Sequence, residues 1–192
     1  MNTNDSLTVK NNRAKKMMLW FGMISMSMTF AGLTSAYVVS SSRSDWIQQI
    51  ELPFAFTLST LLIILSSGSF YGALKMIQDQ KIKVAQGLLA LTLVLAIVFI
   101  YFQFEGFGAL IEQGYYFTGP ESSITTSYLY VLVLLHLMHL TAGIVIVLNV
   151  FYKTLKGKYL NGNTLGFELA VTFWHFLDLL WVYLFLFVSF YG

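Results

Sequence analysis

The sequence predicts an all-α membrane protein, a bundle of five transmembrane helices, on three observations. Of 192 residues, 57% are hydrophobic and only 10% are charged, a balance far from that of a soluble domain. Five apolar runs each reach the roughly 20 residues needed to cross a hydrocarbon core about 30 Å thick. Basic residues gather on alternate connections, as two unlike sides of a membrane require. No solenoid repeat is visible, and no length is left over for a second, soluble domain. With zero cysteines, disulfides, thiolate metal sites, iron–sulfur clusters and haem attachment through a cysteine pair are excluded.

Residues 1–16 are polar, with Lys10, Arg13, Lys15 and Lys16, and read as a short flexible tail. The apolar run over about 17–39 follows. A charged segment before an apolar run also describes a signal peptide, with Thr34-Ser35-Ala36 as a small-residue cleavage region. This run is too long for a signal core and four more spans follow, so it is assigned as the first transmembrane helix. The others are placed at about 53–76, 84–104, 127–152 and 164–190. Connections are short; the longest, Glu105 to Thr126, holds Gly106, Gly108, Gly114, Gly119 and Pro120.

Orientation follows from the basic residues. Four lie in the N-terminal tail, Lys75, Lys81 and Lys83 follow the second span, and Lys153, Lys156 and Lys158 follow the fourth, which leaves only Arg43 on the other side. The N-terminus is therefore expected in the cytoplasm and the C-terminus outside. The long connection between the third and fourth spans carries Glu105, Glu112 and Glu121 and no basic residue, in agreement.

Two of the spans carry ionisable residues. In the fifth, Glu168, His175 and Asp178 are separated by seven and three, a spacing that lines them along one face of a helix. At 1.5 Å per residue, His175 and Asp178 lie roughly 13–20 Å in from the cytoplasmic side, while His136 and His139, three apart on the fourth span, lie roughly 13–18 Å from the outer face. All four reach one level, and contact across the interface of the fourth and fifth helices is the natural way to satisfy them. Ionisable groups at this depth mark a functional or assembly site. Three histidines and an aspartate at one depth also match a metal site, and two histidines on different helices match axial haem ligation. A buried hydrogen-bonded cluster is the competing reading, since nothing else in the chain completes a catalytic centre.

Small residues suggest packing surfaces. Ser27, Ala31 and Ser35 recur every four residues, and Gly68 and Gly72 form a GxxxG, spacings that let helix backbones approach closely. Trp20, Trp46 and Tyr152 sit near span ends, where interfacial anchors belong. Trp174 and Trp181 lie inside the last span and are expected to pack in the bundle or against a partner.

These residues carry a family resemblance. Phe167-Glu168, Trp174-His175-Phe176 and Asp178-Leu-Leu-Trp181 resemble the last helix of subunit III of the haem–copper terminal oxidases, the cytochrome c and quinol oxidases. His136-Leu-Met-His139 with Gly143 is similar to the family's His-Gly-x-His element, and Phe99 to Glu105, with Gln103, to its Phe-x-x-x-Gln-x-x-Glu segment. Ser66-Ser67, Phe30-Ala31-Gly32 and Ser35-Ala36-Tyr37 also fit, so the resemblance runs from about Met17 to the end of the chain. There are departures. Many members have seven helices, so this chain resembles the short form, and the lipid-holding cleft is expected to be lost or completed by another subunit. Met26 stands where the family often has a glutamate, and Leu137 replaces the glycine between the histidines.

The resemblance implies an accessory subunit with no catalytic residue, metal or cofactor of its own. Haem and copper are expected in subunit I, with a dinuclear copper in subunit II where present. The chain would pack on subunit I, hold phospholipid and support stability and sustained proton uptake, in a bacterial cytoplasmic (inner) membrane and without a nucleic-acid partner. On that view His136, His139, Glu168, His175 and Asp178 form a structural polar cluster between the fourth and fifth helices. A five-helix protein associated with nitric oxide reductase shares this framework. An independent transporter or channel more often shows an internal repeat or broken helices, and the only prolines, Pro53 and Pro120, lie at or outside span ends. A haem-binding anchor is the remaining alternative.

Overall fold

A computed structural model describes residues 3–43, 46, 52–119, 123–159 and 164–191. They form five helices: α1 Thr3–Ser40, α2 Phe54–Gln78, α3 Ile82–Glu112, α4 Ile124–Leu155 and α5 Leu165–Tyr191. All five are long and apolar enough to cross a membrane.

The helix ends are set by local chemistry. Pro53 precedes α2, where its fixed φ suits a helix start and its missing N–H is not needed. The α2–α3 turn passes through Gln80 at φ 59°, and Lys81 N–H donates to Met76 O at 2.8 Å. Ser123 and Thr126 form a reciprocal capping box at the start of α4, with side-chain-to-backbone distances of 3.1 and 3.2 Å. At the other end of α4, Gly157 adopts φ 65°, and Lys158 N–H reaches back to Lys153 O at 3.1 Å, the left-handed cap for which glycine is suited. Beyond it Tyr159 packs edge-on against Phe167, centroids 5.4 Å apart, and burial raises its phenol pKa above the usual value.

Helices α2, α3, α4 and α5 form a closed ring in that order, each packed on the next and α5 returning to α2, while α1 lies outside the ring against α4 and α5. Helix α5 is the centre. Half of its apolar stretch is buried, against 17% for α1. Most of its buried positions, Phe167, Ala170, Val171, Trp174, Leu177, Asp178, Trp181, Leu184 and Val188, follow the three-and-four spacing of one helix face, and Phe173 and Leu180 are buried beside that face. Two glycines allow the closest approaches. A Cβ at Gly106 on α3 would lie 2.8 Å from the Phe56 ring of α2, and one at Gly143 on α4 would lie 2.8 Å from Leu177 Cδ1 of α5.

Five helices were expected and five are present among the described residues, with ends that differ from the sequence reading. The segment expected as a flexible tail is helical from Thr3 and continuous with α1, since it contains no Gly or Pro to stop the helix. Helix α3 runs on to Glu112, through Gly106 and Gly108, which the sequence reading assigned to a loop. Gly106 is helical and buried under Phe56, so it serves packing and not turning. The GxxxG on α2 is divided: Gly72 faces Leu88 of α3, and Gly68 has nothing within 4 Å of its Cβ position. Ser27, Ala31 and Ser35 all point away from the bundle. Pro120 and Glu121, read as part of the long connection, lie outside the described residues.

Candidate functional site

The polar residues of α5 are fixed mainly by α2, the helix that sequence reasoning credited with packing alone. Trp174 Nε1 donates to Ser66 Oγ at 2.9 Å, and Trp181 Nε1 donates to Thr60 Oγ1 at 3.0 Å. Beside the Trp174 contact His175 Nδ1 is hydrogen-bonded to Ser67 Oγ. Two turns separate the two tryptophans, and nearly the same distance separates Thr60 from Ser66 and Ser67, so the antiparallel helices meet in register. Each indole is nearly fully buried, and an indole N–H left without an acceptor there costs about 1–3 kcal/mol. A neighbouring layer joins α2 to α3, where Gln103 Nε2 donates to Ser59 Oγ at 2.8 Å.

The five candidate residues do not join one hydrogen-bonded network in this chain. Glu168 accepts from Thr164 Oγ1 at 2.9 Å, near the start of α5. His175 is half-buried and turns toward α2, not α4. His139 Nδ1 bonds to Leu135 O of its own helix at 2.8 Å, and its ring lies 5.8 Å from Phe30 of α1. His136 is fully buried, with its ring 5.1 Å from Trp181 and 6.3 Å from Phe99. Neither of its nitrogens has a hydrogen-bond partner among the described residues. Asp178 is 4% exposed; Ser67 is directed at His175, and neither carboxyl oxygen has a hydrogen-bond partner among the described residues. The α4–α5 contact at this level is made by His136 packing on Trp181 and by Gly143 under Trp174 and Leu177.

Among the described residues no three His, Asp or Glu side chains gather to hold a metal ion. The arrangement sets α5 between α2 and α4, with hydrogen bonds on one side and ring packing on the other. The signal for α2 was present in the sequence, because Thr60 and Ser66, six apart, nearly match the seven-residue interval of Trp174 and Trp181, and Ser67 follows beside them. A hydroxyl in an apolar span is too common for that match to stand out before the partner helix is known.

The fold and this site together define a five-helix membrane protein organised around a Trp-His-x-x-Asp-x-x-Trp helix. The sequence matches the family described as cytochrome c oxidase subunit III over residues 16–192, and the chain belongs to that family. It is 28% identical to the cytochrome bo(3) ubiquinol oxidase subunit 3 of Buchnera aphidicola subsp. Acyrthosiphon pisum, over 98% of this chain and 92% of the relative. It is 32% identical to the protein of the same description from Pseudomonas putida, over 84% of this chain and 74% of the relative. Similarity extends to the cytochrome c oxidase subunit 3 of Schizophyllum commune, at 31% identity over 72% of this chain but only 50% of that longer protein.

Proposed function

We propose that this chain is the accessory subunit III of a respiratory haem–copper oxidase, held in a bacterial inner membrane with its N-terminus in the cytoplasm. The observation that carries the reading is the family match over residues 16–192, on a chain whose five helices supply the membrane frame. In this role it packs against subunit I beside subunit II and retains phospholipid. The haem and copper reside in the partner subunits. Oxygen reduction is then the work of the complex, and this chain supports its stability and sustained proton uptake.

The residues suit a brace. Two indoles and one imidazole bonded to α2 hold the motif helix without any flexible charged side chain. His136, His139, Glu168, His175 and Asp178 act in positioning helices, with Trp174 and Trp181 as the principal anchors. Deleting the gene for this chain and following oxygen consumption tests the role. The account expects an initial rate near normal, followed by a decline over continued turnover. An immediate collapse of the rate in a core complex that keeps its haem and copper contradicts an accessory role.

A further inference from the structure

The outer face of α2 and α5 presents polar groups where lipid offers them no partner. His175 Nδ1 is taken by Ser67, whereas Nε2 is neither buried nor hydrogen-bonded among the described residues. Along the axis of α5, His175 stands about 15 Å from Leu165 and about 24 Å from Tyr191, well inside the span. Beside it the Tyr71 ring, 58% exposed, lies 6.2 Å away. Gly68, on the same helix and less than a turn from Tyr71, has nothing within 4 Å of its Cβ position, which leaves room for a second backbone. Helix α1 does not close this face: among the described residues it packs on α4 and α5 and not on α2. Thr172 and Leu179 of α5 are exposed there as well.

Acyl chains cover apolar area but accept and donate no hydrogen bonds, so an open imidazole nitrogen at this depth is costly against lipid. A helix side chain relieves that cost, and a glycine beside it permits the close approach such a bond needs. We infer that the α2–α5 face centred on His175, Tyr71 and Gly68 seats a transmembrane helix of a neighbouring oxidase subunit, one that brings a hydrogen-bonding side chain to the level of His175. The inference rests on the oxidase-subunit reading and adds to it the contact face and the chemistry of the partner helix. Ser67 belongs to the device, since by holding Nδ1 it directs Nε2 outward.

The test uses the intact purified complex, with a photoreactive benzoylphenylalanine in place of Tyr71 or, as a control on another exposed face, in place of Val94 of α3, 55% exposed. Irradiation is expected to join this chain to a membrane-embedded oxidase subunit, identified by mass, at least tenfold more from position 71 than from position 94. Adducts to lipid alone, to a second copy of this chain, or equally from both positions overturn the inference. Gly68→Leu supplies the second readout: with open space at that position it leaves the chain's own packing intact, and it is expected to cut recovery of the chain with the complex at least fivefold. Unchanged recovery also overturns the inference. A chain that purifies with no oxidase at all overturns the underlying reading instead, so the two failures are distinct.

Discussion

Replacing Gly143 by alanine tests the packing at the centre of the bundle. The new methyl would lie 2.8 Å from Leu177 Cδ1 and 3.3 Å from Trp174 Cε3 and Cζ3, whereas carbon atoms rest comfortably at about 3.5–4.0 Å. Neither neighbour can easily give. Leu177 is fully buried, and Trp174 is tied to Ser66 at 2.9 Å. Overpacking of this kind costs about 1–3 kcal/mol, set against a gain of up to about 1 kcal/mol from replacing a helical glycine. Gly87→Ala isolates that gain, because Gly87 is also helical and has nothing within 4 Å of its Cβ position. The difference between the two variants is therefore the overpacking cost alone, about 1–3 kcal/mol. The assay heats the tagged chain in mild detergent and measures the fraction that remains monodisperse. Gly143→Ala should fail at a clearly lower temperature than Gly87→Ala. Equal heat resistance would refute the tight α4–α5 contact.

Three further outcomes follow from the same structure. Trp174→Phe and Ser66→Ala should be coupled, since both break one buried hydrogen bond; a double-mutant cycle should give about 0.5–1.5 kcal/mol, and simple additivity would deny the bond. His175→Ala or Asp178→Ala should lower retention of the chain in the complex more than the initial rate of fully assembled enzyme, and a collapse of the first-seconds rate with the chain still bound would give these residues a catalytic part. Tyr159 has a raised phenol pKa from burial, so at pH above the ordinary value near 10 the unfolded chain releases a proton that the folded chain keeps. The contribution of Tyr159 is whole below that pH and falls as pH rises, so Tyr159→Phe should flatten the alkaline loss of heat resistance, and an unchanged slope would contradict the burial.

The helices were legible because a bilayer imposes a length and a composition on every span, and the ends were less so because they answer to particular contacts. Gly106 reads as a breaker until Phe56 is found lying on it. The N-terminal basic segment reads as a tail because its polarity says nothing about helicity. At the site, the three-and-seven spacing sets Glu168, His175 and Asp178 along one face of a helix, but depth alone could not say which helix each faced. His175 lies at the level of both α2 and α4, and it is Ser67 on α2 that it meets. Trp174 and Trp181 were visible as interior aromatics, whereas their acceptors on α2 were ordinary hydroxyls whose meaning depends on register. The GxxxG illustrates the same limit: one glycine serves α3 and the other is left open.

The most direct test of the account is purification of the tagged chain from its native membrane in a gentle detergent, with an optical spectrum and mass identification of what accompanies it. The account predicts a haem-bearing complex that contains the catalytic subunit of a haem–copper oxygen reductase. A nitric oxide reductase core, or a colourless protein that comes down alone, would contradict it.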